Sequence, residues 1–164
     1  MNSKRKMVMD AAVRSRRVVQ LMADGTHDID PGDLCGGCAT GSYILWKVLK
    51  GLGVEADLIS GEYNPTGSYH AWVEVKVGRY RDIVDVTATQ FGLPGPVYVT
   101  FAGDPDYGPD NSYNPPRKIR NSGAIRLFKY SWDQQSPFYE GDRRPDRAAA
   151  RITSALLSKY EVEE

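Results

Sequence analysis

Apolar positions along the chain keep a helical period, switch to a two-residue period, and return to a helical one at the end. Residues 7 to 23, MVMDAAVRSRRVVQLMA, set Met9, Ala12, Val13, Val19 and Met22 at helical spacing. A polar loop, DGTHDIDPGD, follows with Pro31-Gly32 as its turn. The second predicted helix runs from about Cys38 to Leu52, with Leu45, Val48, Leu49 and Leu52 in one stripe and Gly51 and Gly53 closing it. The period then changes. Val54 to Glu62 reads as a strand, and Asn64-Pro65-Thr66-Gly67 is turn chemistry. Tyr69 to Val77 alternates, placing Ala71, Val73, Val75 and Val77 on one face and His70, Trp72, Glu74 and Lys76 on the other. Gly78 marks a turn, Tyr80 to Thr87 returns as the partner strand, and Val97 to Phe101 reads as a further strand.

From Gly103 to Pro116 the chain reads GDPDYGPDNSYNPP, a composition that holds neither a helix nor a central strand. It predicts a long exposed loop, longer than a plain connector. A strand is expected over Ala124 to Tyr130. A last helix opens near Pro145 and buries Ala149, Ile152, Leu156 and Tyr160. The order of elements predicts one α+β domain over 1–164, with its core at about 30–101, the irregular loop at 103–116 and the C-terminal helix at about 145–160.

Composition narrows the class of partner. The chain has 164 residues with 21 basic and 21 acidic side chains, so its net charge is zero. Such a balance offers no broad field for nucleic acid or an anionic membrane. The local clusters Lys4, Arg5, Lys6 and Arg14, Arg16, Arg17 suit the solvated face of a helix. No apolar run is long enough to cross a bilayer, and charges interrupt the N-terminal stretch where a signal peptide needs its apolar core. A cytoplasmic protein with reduced cysteines is the expectation, and no cofactor or metal is called for.

Candidate chemistry gathers on Cys38, His70 and Asp85. Cys38 begins the second helix after Gly36-Gly37, where unpaired backbone N–H groups and the positive end of the helix dipole favour a thiolate. The glycines clear the approach of a carbonyl, and the Cys38 N–H is an oxyanion donor. If the hairpin turns at Val77-Gly78, His70 faces Asp85 directly across the strand pair. Asp82 then points to the other face, and Glu74 lies towards the hairpin turn. Cysteine nucleophile, histidine base and orienting carboxylate form a triad in its thiol form.

The wording around these residues resembles the transglutaminase-like superfamily, relatives of papain in fold. The resemblance is carried by GGCATGSYILWKVLKGLGVEADLISGEY, YHAWVEV and DVTATQFG, over about residues 34 to 92. Gly36, Cys38, Ser42, Gly53-Val54-Glu55-Ala56, Gly61, His70 to Val75 and Asp85-Val86-Thr87 each match a position of that pattern. The resemblance implies a papain/transglutaminase-like core, a cysteine-led helix packed on an antiparallel sheet that supplies histidine and aspartate. It implies attack on an amide or thioester carbonyl, an acyl-enzyme, and resolution by water or by an amine. A protease, amidase or deamidase acting on a protein or peptide is the expected activity. Gln90, after the D-x-T segment, either shapes the pocket or is a polar residue at a strand end. Trp72, beside His70, either lines the acyl pocket or packs; Gly37 is the candidate approach to the oxyanion. Papain itself has a glutamine six residues before its cysteine, and here that position is Gly32.

Rival readings use the same residues. Cys35 and Cys38 form a CxxC pair, which in a thioredoxin-like site follows a buried strand; DIDPGDL is a poor one. Cys35 is otherwise expected to pack, and His27 to lie exposed in its loop. Zinc would need His27 and His70 at spacings that fit no familiar site. A non-enzymatic interaction module would use loop 103–116 as its contact surface.

Overall fold

A computed structural model describes residues 3–24, 29–108, 117–118 and 145–161. Its elements are α1 (Ser3–Ala23), α2 (Cys38–Gly51), β1 (Ala56–Tyr63), β2 (Ser68–Val77), β3 (Tyr80–Asp85), a 3-10 turn (Ala88–Phe91), β4 (Tyr98–Phe101), the two-residue β5 (Arg117–Lys118) and α3 (Pro145–Glu161). The strands form one antiparallel sheet in the order β4-β3-β2-β1-β5. The architecture is α+β. The expected strand at 124–130 and His27 lie outside the described residues.

The sheet has a helical side and an aromatic side, set by strand alternation. Val73, Val75, Val84, Ala56 and Leu58 point to one face and form a core with all three helices. Ile59, Trp72, Ile83, Tyr63 and Tyr107 form a second, smaller cluster on the other. Eight of the 14 residues of α2 are buried, because α1 and α3 cover what the sheet does not. Tyr43 on α2 donates to Asp146 Oδ1 on α3 at 2.7 Å, and Tyr160 on α3 donates to Asp10 on α1 at 3.0 Å.

Three expectations for the helices and turns are corrected. The buried stripe of α1 is Val8, Ala11, Ala12, Ser15, Arg16, Val19 and Met22, and Val13 is exposed. Arg16 therefore leaves the solvated basic face: it is buried, lying between Ala12 and Val19 on the inward stripe. The hairpin turns at Gly78-Arg79, with Val77 paired to Tyr80 and Val73 to Val84, and Gly78 takes the left-handed φ of 66°. This moves the position facing His70 two residues on, from Asp85 to Thr87. A shift of two preserves the face, so Asp85 remains on the side of His70, on the diagonal. Asp82 points to the helical side, 3.6 Å from Arg5 of α1.

One feature of the sheet opens the site. Pairing of β2 with β3 ends at Val73–Val84, although β2 extends back to Ser68. Lys76 N–H reaches Glu55 towards β1, so odd-numbered residues of β2 direct their backbone groups towards β3. The Ala71 carbonyl thus points into the gap that the departing chain leaves. Ser42 Oγ, on the second turn of α2, donates to it at 2.8 Å. Gly41 allows this approach: a Cβ there would stand 2.8 Å from Val86 Cγ2 and 3.2 Å from Val19 Cγ2.

Candidate active site

The loop before α2 is built from short-range polar contacts. Asp30 and Asp33 each accept from the backbone N–H two residues on, at Gly32 (2.7 Å) and Cys35 (2.8 Å). Leu34 is fully buried with a φ of 68°, a left-handed conformation that costs a non-glycine residue about 1–3 kcal/mol. Leu34 takes the inward place, which leaves Cys35 exposed rather than packed as expected. Gly37 is buried; its N–H donates to the Leu34 carbonyl at 2.9 Å, and a Cβ on it would meet Val19, Leu34 O and Ile29 within 3.2 Å. Its missing side chain therefore serves packing, and its N–H is engaged. Cys38 follows as the first residue of α2, buried, at a helix start that carries no side-chain cap. Its own N–H, at the first position of the helix, has no intrahelical acceptor.

His70 enters from β2 and is buried. Its Nε2 lies 2.6 Å from Asp85 Oδ2. Cys38 lies near enough to the same ring to favour its protonated form. With Nε2 held by Asp85, Nδ1 is the ring nitrogen that faces away from the carboxylate. Gln90 Nε2 stands 3.4 Å from Nδ1 and donates to Thr87 O at 3.1 Å, which fixes the orientation of its amide. Burial disfavours the imidazolium, but the Asp85 charge, its hydrogen bond and Cys38 outweigh that cost and push the His70 pKa up to about 9.

Asp85 ends β3, buried and fully bonded. Oδ2 takes His70 and the Tyr107 hydroxyl, at 3.0 Å; Oδ1 takes the Thr87 N–H at 2.8 Å and the Thr87 hydroxyl at 3.2 Å. Four contacts satisfy the lone pairs of this buried carboxyl group. Arg16 secures the turn that follows, donating to Val86 O at 2.8 Å and to Thr89 Oγ1 at 3.1 Å. Thr89 in turn donates to Asp33 O at 2.8 Å, so one chain of bonds joins α1, the Asp85 turn and the cysteine loop. Burial lowers the Arg16 pKa and the Asp85 charge opposes that shift.

The aromatic side of the sheet supports the imidazole. Phe91 stands edge-on to His70 at 4.8 Å between ring centres, and Tyr63 stacks on Phe91 at 3.9 Å. Trp72 is buried 6.0 Å from the His70 ring with Tyr107 edge-on at 5.2 Å, so it packs behind the histidine and does not line an open pocket.

Cys38, His70, Asp85 and Gln90 thus converge, while Gly37 and Trp72 stand behind them. Sequence reasoning missed Tyr107 and Arg16. Tyr107 sits in the segment expected to be an exposed loop, yet it is buried; burial and the Asp85 charge raise its pKa and keep it a donor. Arg16 was discoverable from its place four residues after Ala12 and three before Val19. Among the described residues, no group of three His, Cys, Asp or Glu side chains is placed to hold a metal. Nor is any helix among them long and apolar enough to cross a membrane. No family model matches the chain, and no match appears among curated proteins or solved structures.

Proposed function

We propose that this protein is a cysteine-nucleophile acyl-transfer enzyme of the transglutaminase-like type, hydrolysing an amide bond in a protein or peptide. The observation that carries the reading is the buried His70–Asp85 pair at 2.6 Å, with Cys38 at the start of α2 near enough to favour the charged imidazole. With its pKa near 9, His70 is an imidazolium at neutral pH, suited to pairing with a thiolate and to protonating a leaving amine. The Cys38 sulfur attacks the carbonyl carbon, a C–S bond forms, and the carbonyl π pair moves to oxygen beside the Cys38 N–H. On collapse the C–N bond breaks and the nitrogen takes the proton from His70 Nδ1. Water, deprotonated by the now neutral His70, then attacks the thioester carbon; on collapse the C–S bond breaks and Cys38 leaves as the thiolate beside the restored imidazolium. Asp85 holds the ring and its charge throughout. A papain-like core fits a cysteine-led helix against a sheet that presents the histidine. A thiolate nucleophile must stay reduced, which fits the cytoplasm.

Mass spectrometry after exposure to p-nitrophenyl acetate tests this reading. One acetyl group is expected on Cys38, retained in Cys35→Ser and lost in Cys38→Ser. Acetylation that spares Cys38 would overturn it. So would loss of acetylation in Cys35→Ser, which a working CxxC pair requires.

A further inference from the structure

A tetrahedral intermediate on Cys38 is held best by more than one donor, and the adjoining Gly37 N–H is already given to Leu34. The register of α2 on β2 shows which other group stands in front of the thiol. Ser42 is bonded to Ala71. One helical turn back from Ser42 is Cys38, and two residues back from Ala71, on the same face of β2, is Tyr69. After α2 ends at Gly51 the chain enters β1 at Ala56, which pairs with Val75, so from Ser42 at Ala71 the helix runs the same way as β2. Each step back covers about 5–7 Å, and Tyr69 stands to Cys38 as Ala71 stands to Ser42. It belongs to the helical face, opposite its neighbour His70, yet it is 54% exposed, because α2 begins at Cys38 and covers nothing beyond it. An aromatic side chain that is half open to solvent, beside a buried nucleophile and on the strand that carries the base, lies where substrate must enter.

We propose that the Tyr69 hydroxyl is the second oxyanion donor, acting with the Cys38 N–H on the carbonyl oxygen of the acyl group. The assignment rests on Cys38 being the nucleophile. Although about half of the side chain is open to solvent, the burial of the remainder and then the nearby Cys38 raise the Tyr69 pKa, so the phenol keeps its proton across the working range. As the C–S bond forms and the carbonyl pair moves to oxygen, the phenol O–H gains a charged acceptor that the ground state lacks. It keeps its proton, and the pair returns to the carbon when the leaving group departs.

Two reagents separate this role from a structural one. Acylation by p-nitrophenyl acetate passes through an oxyanion; alkylation by iodoacetamide displaces iodide at a saturated carbon and does not. In Tyr69→Phe the plateau rate of acylation should fall about 10²-fold, the scale of losing one side-chain donor, while the alkylation rate and its pH profile stay unchanged. Equal rates of acylation in Tyr69→Phe and wild type overturn the assignment, as does a parallel fall in both reactions, which marks a packing role. Wild-type Cys38 that no ester acylates overturns the nucleophile assignment itself, and Tyr69 falls with it; that result appears in the wild type before any variant is made.

Discussion

His70 is the residue on which the site's electrostatics converge, and its charge links the site to stability. The folded protein holds the His70 proton to about pH 9, whereas the ordinary value is 6.5. Between those values the folded state binds a proton that the unfolded chain has released, so stability falls as pH rises. The contribution is complete below about pH 6.5 and lost towards pH 9, with a slope of at most about 1.4 kcal/mol per pH unit. Urea unfolding at pH 6, 7.5 and 9 should show this loss in wild type and a flatter profile in His70→Gln. Identical profiles in the two proteins would remove the buried ion pair from the explanation. The choice of Asp85 as its partner was legible in the sequence because it depends on parity: Asp85 shares a face with His70 under either turn position, and Asp82 under neither. The exact turn was not legible, since Val77, Gly78 and Arg79 are all compatible with a tight connection. Tyr107 was invisible for a different reason. It lies in a run of aspartate, glycine and proline with no period, and only the folded chain brings its hydroxyl to Asp85.

At the scale of elements, the site depends on how closely α2 approaches the chain leaving β3. All three helices were readable from their apolar spacing, with the buried stripe of α1 misplaced at Val13, and four strands from alternation and turn residues. The contact between them was not, because it is made by an absence of side chain at Gly41. Gly41→Ala improves helix propensity by about 1 kcal/mol, but its Cβ would stand 2.8 Å from Val86 and 3.4 Å from Thr87. The clash should dominate, lowering stability by about 1–3 kcal/mol. It should also slow alkylation of Cys38 by pushing the helix start away from His70. Thermal unfolding and iodoacetamide kinetics check both effects together. A variant that is more stable and equally reactive would show that the approach is not tight. The bond chain from Arg16 through Thr89 to Asp33 acts at the same junction, and it was hidden because a basic residue on a helix is ordinarily read as solvated.

In the whole molecule, Cys38 and His70, the proposed nucleophile and base, belong to opposite sides of one sheet. Cys38 comes from the helical layer and His70 faces the aromatic cluster, and they meet only where β3 departs and α2 fills the space beside β2. This explains why a thiol that is nearly inaccessible is expected to be the reactive one. Cys35 is exposed and lies three residues away with no described link to the triad, so the two thiols form an internal comparison. The relative rates at which iodoacetamide alkylates Cys38 and Cys35 at pH 6, resolved by peptide mapping, test the triad most directly. A working Cys38–His70–Asp85 site predicts that buried Cys38 reacts faster than exposed Cys35, by about tenfold or more, and that His70→Ala abolishes the difference. Faster alkylation of Cys35, the order that exposure alone dictates, would contradict it.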